Sequence, residues 1–151
     1  MHRRHLLLAA AVSPLAMAAS SAWSALPEVH VFKSPTCGCC GAWVEHLEAS
    51  GFAVRVTSVD DTTAARKRLG MPDRLGGCHT ATVAGYVLEG HVPAADVKRL
   101  LAQKPAALGL AVPGMPVGSP GMEVGTRQDP YAVFLVDRQG RESVYARYPA
   151  R

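Results

Sequence analysis

The sequence contains no apolar run of the ~20 residues that a bilayer-spanning helix needs. In its place stands a shorter leader: Met1-His2-Arg3-Arg4 is basic, residues 6–12 are apolar and uncharged, and residues 16–25 are rich in small side chains. That three-part plan is the plan of a secretory signal peptide over residues 1–25, with Ala22-Trp23-Ser24 as a small-x-small cleavage site and a mature chain beginning near Ala25 or Leu26. The short apolar run argues against a retained membrane anchor. Arg3-Arg4 leaves a twin-arginine export route open beside the general secretory one.

A Lys/Arg stripe is also missing. The chain carries 16 Lys+Arg against 12 Asp+Glu, but two of the basic residues belong to the leader, which leaves 14 against 12. So small an excess excludes nucleic acid as the partner class. There is no internal repeat and no second domain. A composition of 48% hydrophobic and 19% charged residues over 151 positions is ordinary for one globular unit, here residues 26–151.

Cysteine is scarce, with four in the chain, yet three crowd into "SPTCGCCGAWVEHL" as Cys37, Cys39 and Cys40; the fourth is Cys78. Export matters to them, because thiols outside the cytosol oxidise unless a metal or a reductase holds them.

The patterns around them read as alternating strands and helices. Val29-His30-Val31-Phe32 is β-rich and ends at Ser34-Pro35. Cys40, Trp43, Val44 and Leu47 then repeat at helical spacing, with Gly51 placed as a C-terminal cap. Residues 53–59 alternate as a strand, and Asp60 or Asp61 caps a short helix reaching Leu69. Strand, helix and strand of this length form a βαβ unit with parallel strands. Residues 80–84 and 86–89 form a hairpin turning at Ala84-Gly85, and Pro93 opens a helix with Ala94, Val97, Leu100 and Leu101 on its buried face, stopped by Pro105. Residues 108–130 read as a Pro/Gly/Met loop, and residues 131–136 and 143–148 as a closing β-hairpin around Asp137-Arg138-Gln139-Gly140.

A two-residue turn pairs Val83 with Tyr86, and the same register carried outward sets Cys78 opposite His91, with His79 facing away. The order β-α-β-α-β-β-α with Cys37-x-x-Cys40 at the end of the first strand resembles the thioredoxin fold: α/β, a central mixed sheet with flanking helices. That resemblance implies that Cys78 and His91 converge on the cysteine loop. Thioredoxins carry a cis-proline where this chain has Ala81; a non-proline cis bond costs about 3 kcal/mol, so a trans bond is expected, which speaks against ordinary thioredoxin-type exchange.

Two chemistries fit the thiols. Cys37 and Cys40 suffice for a thiol-disulfide oxidoreductase, the start of the helix favouring their thiolates. All four cysteines together concentrate soft sulfur, which suits Cu(I) or Zn(II), and imidazole or thioether from His91, His79, Met115 or Met122 tilts the choice toward copper. Zinc favours a tetrahedral structural site, whereas thiolates crowded at adjacent positions can bridge several Cu(I) ions. Two structural disulfides are the plainer alternative, although a bond between neighbouring Cys39 and Cys40 is badly strained. His30 reads as structural, His46 as a solvated residue on the polar side of its helix, and Trp43 as core.

Cys37-Gly38-Cys39-Cys40, Gly77-Cys78-His79-Thr80-Ala81, Gly85-Tyr86, Glu89-Gly90-His91-Val92-Pro93, Gly109-Leu110-Ala111-Val112-Pro113-Gly114-Met115-Pro116 and Gly118-Ser119-Pro120-Gly121-Met122-Glu123 together resemble the CopG family of exported bacterial copper-resistance proteins. The resemblance spans nearly the whole mature chain. It implies a periplasmic protein that binds copper at Cys37, Cys39, Cys40 and Cys78, with His91 next and His79, Met115 and Met122 behind. Copper ions and other periplasmic copper-handling proteins are the implied partners.

Overall fold

The computed structural model describes residues 25–149. The signal peptide expected over residues 1–25 lies, but for Ala25, outside the described residues. In chain order the elements are β1 (Val29–Lys33), α1 (Gly38–Ala49), β2 (Val54–Ser58), α2 (Thr62–Arg68), a 3-10 turn (Asp73–Leu75), β3 (His79–Val83), β4 (Tyr86–Glu89), α3 (Ala94–Gln103), β5 (Gly109–Ala111), β6 (Tyr131–Val136) and β7 (Glu142–Tyr148). The strands make one mixed sheet in the order β2-β1-β3-β4-β5-β6-β7, so the α/β architecture expected from the sequence is the one observed.

The helices form where periodicity and caps place them. α1 buries Cys40, Trp43 and Leu47 along one face, while Val44 packs at the edge of the core. Asp61 caps α2, its carboxylate accepting from the N–H groups of Thr63 (2.8 Å) and Ala64 (3.1 Å). α3 buries Ala94, Val97 and Leu100 and stops at Lys104, which takes the left-handed conformation ahead of Pro105. These faces meet Val29, Val31, Ala81, Leu88 and Leu110 of the sheet in one core.

β1 runs parallel to β2 and antiparallel to β3, which places the cysteine loop after β1 beside the start of β3. The β3–β4 pairing is the one the turn dictates, Val83 with Tyr86 and Thr80 with Glu89. The Thr80–Ala81 peptide is trans.

One expectation needs correcting. The segment from residue 108 reads as loop, yet Gly109–Ala111 forms β5, parallel to β4 and antiparallel to β6. All three residues are buried, so the strand has neither the length nor the alternation by which a strand announces itself. The Pro/Gly/Met loop proper starts after β5 and ends at β6, and the β6–β7 hairpin closes the sheet.

Candidate metal and thiol centre

Ser34-Pro35-Thr36 turns the chain out of β1, and the Cys37 N–H closes that turn on the Ser34 carbonyl at 3.2 Å. Cys37 is the N-cap of α1, without a side-chain cap of its own, and Cys39 and Cys40 lie in the first turn. Their sulfurs therefore sit at the positive end of a helix whose first turn holds no acidic residue. Cys37 and Cys40 are joined in a disulfide, and Cys39 and Cys78 are free and half-buried. Cys39 Sγ stands 3.5 Å from Cys37 Sγ and 3.5 Å from Cys78 Sγ. All four sulfurs lie within 4.8 Å of one another.

The imidazoles arrive from the hairpin. Cys78 Sγ is 3.1 Å from His91 Nε2, as the register requires. His91 Nδ1 lies 2.8 Å from the Pro120 carbonyl, an acceptor only, so Nδ1 carries the proton and Nε2 faces the sulfur with its lone pair. Burial holds His91 below the usual histidine range, which keeps this neutral tautomer. Burial and the neighbouring Cys39 push the Cys78 thiol up to about 12, so without metal it stays protonated and donates to His91.

His79 departs from the sequence reading. It does not face away: Nδ1 lies 4.0 Å from Cys78 Sγ, and the ring stands edge-on to His91 with centroids 5.0 Å apart and tilted over Trp43 at 4.3 Å. His79 is the first residue of β3, where the Gly90 N–H meets its carbonyl at 2.9 Å. Gly90 takes φ +68°, and a Cβ on Gly77 would lie 2.6 Å from Gly90 Cα, so bare backbones close on each other beside Cys78 and both histidines. His79 is fully buried, burial drives it down to about 3, and its Nε2 has no hydrogen-bond partner.

A carboxylate not among the sequence candidates braces the strap, residues 76–78, that leads into β3. Glu89 has no exposed surface; its Oε1 accepts from Gly77 N–H (2.7 Å) and Arg66 Nη1 (3.2 Å), and its Oε2 accepts from the Thr80 hydroxyl (2.6 Å). Burial raises its pKa, and the Thr80, Gly77 and Arg66 donors oppose that rise. The signal in the sequence was positional: Glu89 pairs with Thr80 on a strand whose neighbours are apolar.

The long loop roofs the centre. Gly121 has φ +84°, and a Cβ there would lie 2.7 Å from both Cys39 O and Trp43 N, so the loop rests directly on the first turns of α1. Pro120 meets His91, and Gly114 N–H reaches Gly76 O at 2.9 Å. Met122 follows on the roof, half-buried, whereas Met115 is 53% exposed.

Among the remaining candidates, Trp43 is fully buried and donates Nε1–H to Val92 O at 2.8 Å. His30 meets the Thr57 hydroxyl at 2.8 Å, a structural role. His46 is not simply solvated. Its Nε2 accepts from Ala94 N–H at 3.0 Å, supplying the first turn of α3 with the acceptor that its N-cap, Pro93, lacks.

A family described as "Protein of unknown function, DUF411" matches residues 75–122, the segment from the strap to the roof. Among curated proteins none matches. Two solved structures are similar, titled copper resistance protein copG, Form 2 and Form 1; each is 48% identical with a TM-score of 0.78. The similarity covers 82% and 83% of this chain and 99% of each of those chains.

Proposed function

This chain belongs to the CopG-type family of copper resistance proteins, and from that premise we propose that it is a periplasmic copper-binding protein that holds Cu(I) on Cys37, Cys39, Cys40 and Cys78. His91 completes the donor set, with His79, Met115 and Met122 as further donors. The observation that carries the reading is the meeting of four sulfurs within 4.8 Å, one of which, Cys78, also gathers His79 and His91, with His91 Nε2 3.1 Å from it. Periplasmic placement rests on the leader, and other copper-handling proteins of that compartment are the proposed partners.

The residues fit the metal by donor chemistry. Thiolate and imidazole suit Cu(I), and the helix end stabilises the charge that the thiolates bring. Bound copper would supply a soft Lewis acid and a one-electron couple. The protein's own part begins once an external dithiol reduces the Cys37–Cys40 bond and is itself oxidised to a disulfide, which leaves four thiols here. The Pro120 carbonyl keeps the proton on His91 Nδ1, so Nε2 is free to receive the Cys78 proton or to ligate. Backbone donors of α1 face the loop sulfurs, and the roof held by Pro120 and Gly121 limits water. Cys39 and Cys40 are neighbours, so all four sulfurs close on a single tetrahedral ion poorly; this crowding supports a multinuclear copper centre over one zinc.

A second reading has one observation in its favour: the Cys37–Cys40 disulfide at a helix start is the arrangement of a thiol-disulfide oxidoreductase. Elemental analysis of the reduced mature protein after anaerobic exposure to limiting Cu(I) or Zn(II), with a competing chelator, separates the two. More than one tightly held copper per chain, lost in Cys39→Ser and Cys78→Ser, is the expected result. Copper binding unchanged in both variants would remove the four-thiol centre and leave the oxidoreductase.

A further inference from the structure

The four sulfurs are not arranged as a bonded pair with two bystanders. Cys39 Sγ stands equally far, 3.5 Å, from the bonded sulfur of Cys37 on one side and the thiol of Cys78 on the other. Cys40, Cys37, Cys39 and Cys78 therefore form a compact cluster of sulfurs, all within 4.8 Å of one another, in which Cys39 touches both one end of the covalent link and the free thiol of Cys78. Thiol-disulfide exchange needs only a sulfur nucleophile within reach of a disulfide sulfur and a leaving group that is stable as a thiolate.

We propose that the disulfide migrates within the chain, from Cys37–Cys40 to Cys39–Cys78, with Cys39 as the relay. In the first exchange Cys39 sulfur attacks Cys37 Sγ, the Cys37–Cys40 bond breaks, and Cys40 leaves with the electron pair and takes up the proton that Cys39 gave up. In the second, Cys78 sulfur attacks Cys39 Sγ, the Cys37–Cys39 bond breaks, and Cys37 leaves and takes up the proton that Cys78 gave up. One disulfide and two thiols enter and the same number leave, so no oxidant, reductant or metal is consumed.

The surroundings favour both departures. Cys37 and Cys40 leave at the N-terminus of α1, where free backbone N–H groups stabilise a thiolate. Once reduced, Cys40 has an acceptor waiting, the Cys78 carbonyl 3.7 Å from its sulfur. On the other flank, His91 Nε2 at 3.1 Å accepts the hydrogen bond of the Cys78 thiol and so draws its proton away from the sulfur that attacks. The result is a chain that parks its oxidation in a bond between α1 and the strap before β3 while presenting Cys37 and Cys40 reduced. This activity goes beyond copper binding and operates in the metal-free protein.

The test uses metal-free mature protein holding one disulfide, incubated at mildly alkaline pH, quenched with N-ethylmaleimide at successive times and digested with trypsin. Residues 34–55 carry Cys37, Cys39 and Cys40 on one peptide, and residues 75–98 carry Cys78 on another. Before migration the two peptides separate, each with one maleimide. After migration they run as a linked pair with maleimide on Cys37 and Cys40. The expected result is a linked pair that is absent at the start, grows with time in the monomer fraction, and falls to background in Cys39→Ser, whose Cys37–Cys40 bond still maps intact. Peptides that stay unlinked throughout overturn the proposal, as does a linked pair confined to covalent dimers. A linked pair that persists in Cys39→Ser overturns the relay role of Cys39.

Discussion

Burying a carboxylate costs several kcal/mol unless its lone pairs find donors, and at Glu89 a guanidinium, a backbone amide and a hydroxyl supply them. Glu89→Ala leaves Arg66 with Asp73 as its remaining carboxylate and leaves the Gly77 amide and the Thr80 hydroxyl without their acceptor. A loss of about 1–3 kcal/mol is expected, read as a lower urea midpoint for the metal-free protein. Glu89→Gln keeps an accepting oxygen for Gly77 and Arg66 and turns its NH2 group toward the Thr80 hydroxyl, which can accept, so its loss is expected to be smaller and the order of the two variants checks the assignment. Legibility at this scale differed sharply between residues. Cys78 and His91 could be paired from the sequence because a two-residue turn fixes the register. Glu89 could not be singled out, since a glutamate on a strand reads equally well as a solvated side chain until Arg66 is brought against it from α2.

The turn between β3 and β4 shows what an element demands of its sequence. Ala84 and Gly85 take φ +46° and +84°, the pattern of a hairpin turn that asparagine and glycine adopt more readily than alanine does. Ala84→Asn is expected to stabilise the fold by about 0.5–1 kcal/mol, measured as a higher denaturation midpoint with the metal site untouched. The roof behaves oppositely: a side chain at Gly121 meets backbone of α1, so Gly121→Val is expected to lift the loop, lower stability by about 1–3 kcal/mol and speed alkylation of Cys39. β1, α1, β2, α2, the β3–β4 hairpin and α3 were readable because each carries a period or a cap. β5 was not, being three buried residues, and the approach of His79 to Cys78 was not, lying where Gly77 and Gly90 meet across the ends of two strands.

For the whole molecule, acid is expected to destabilise the metal-free form. Burial holds His46, His79 and His91 below the histidine value of 6.5, so the unfolded chain takes up protons that the folded chain refuses. Stability from these groups is complete above 6.5 and is lost as pH falls, for His79 down toward about 3. Glu89, its pKa raised, has the opposite sign, but four histidines outnumber it, since burial lowers His30 as well. Urea midpoints that drop from about pH 7.5 to about pH 5 check this, and a slope reduced in His46→Gln identifies the helix contact. Copper is expected to raise the melting temperature of the reduced form, by about 2.7 kcal/mol of stability at a hundredfold excess over Kd, and to leave the oxidised form unmoved. The centre is also assembled from distant stretches of chain: 38 residues separate Cys40 from Cys78, and 29 more separate His91 from Pro120. A nascent chain emerges N-terminus first, so Cys37, Cys39 and Cys40 meet their surroundings while Cys78 is still being made. The order of emergence thus favours bonds within the loop first: the local Cys37–Cys40 link needs no folding, and every arrangement that includes Cys78 has to wait for the finished hairpin.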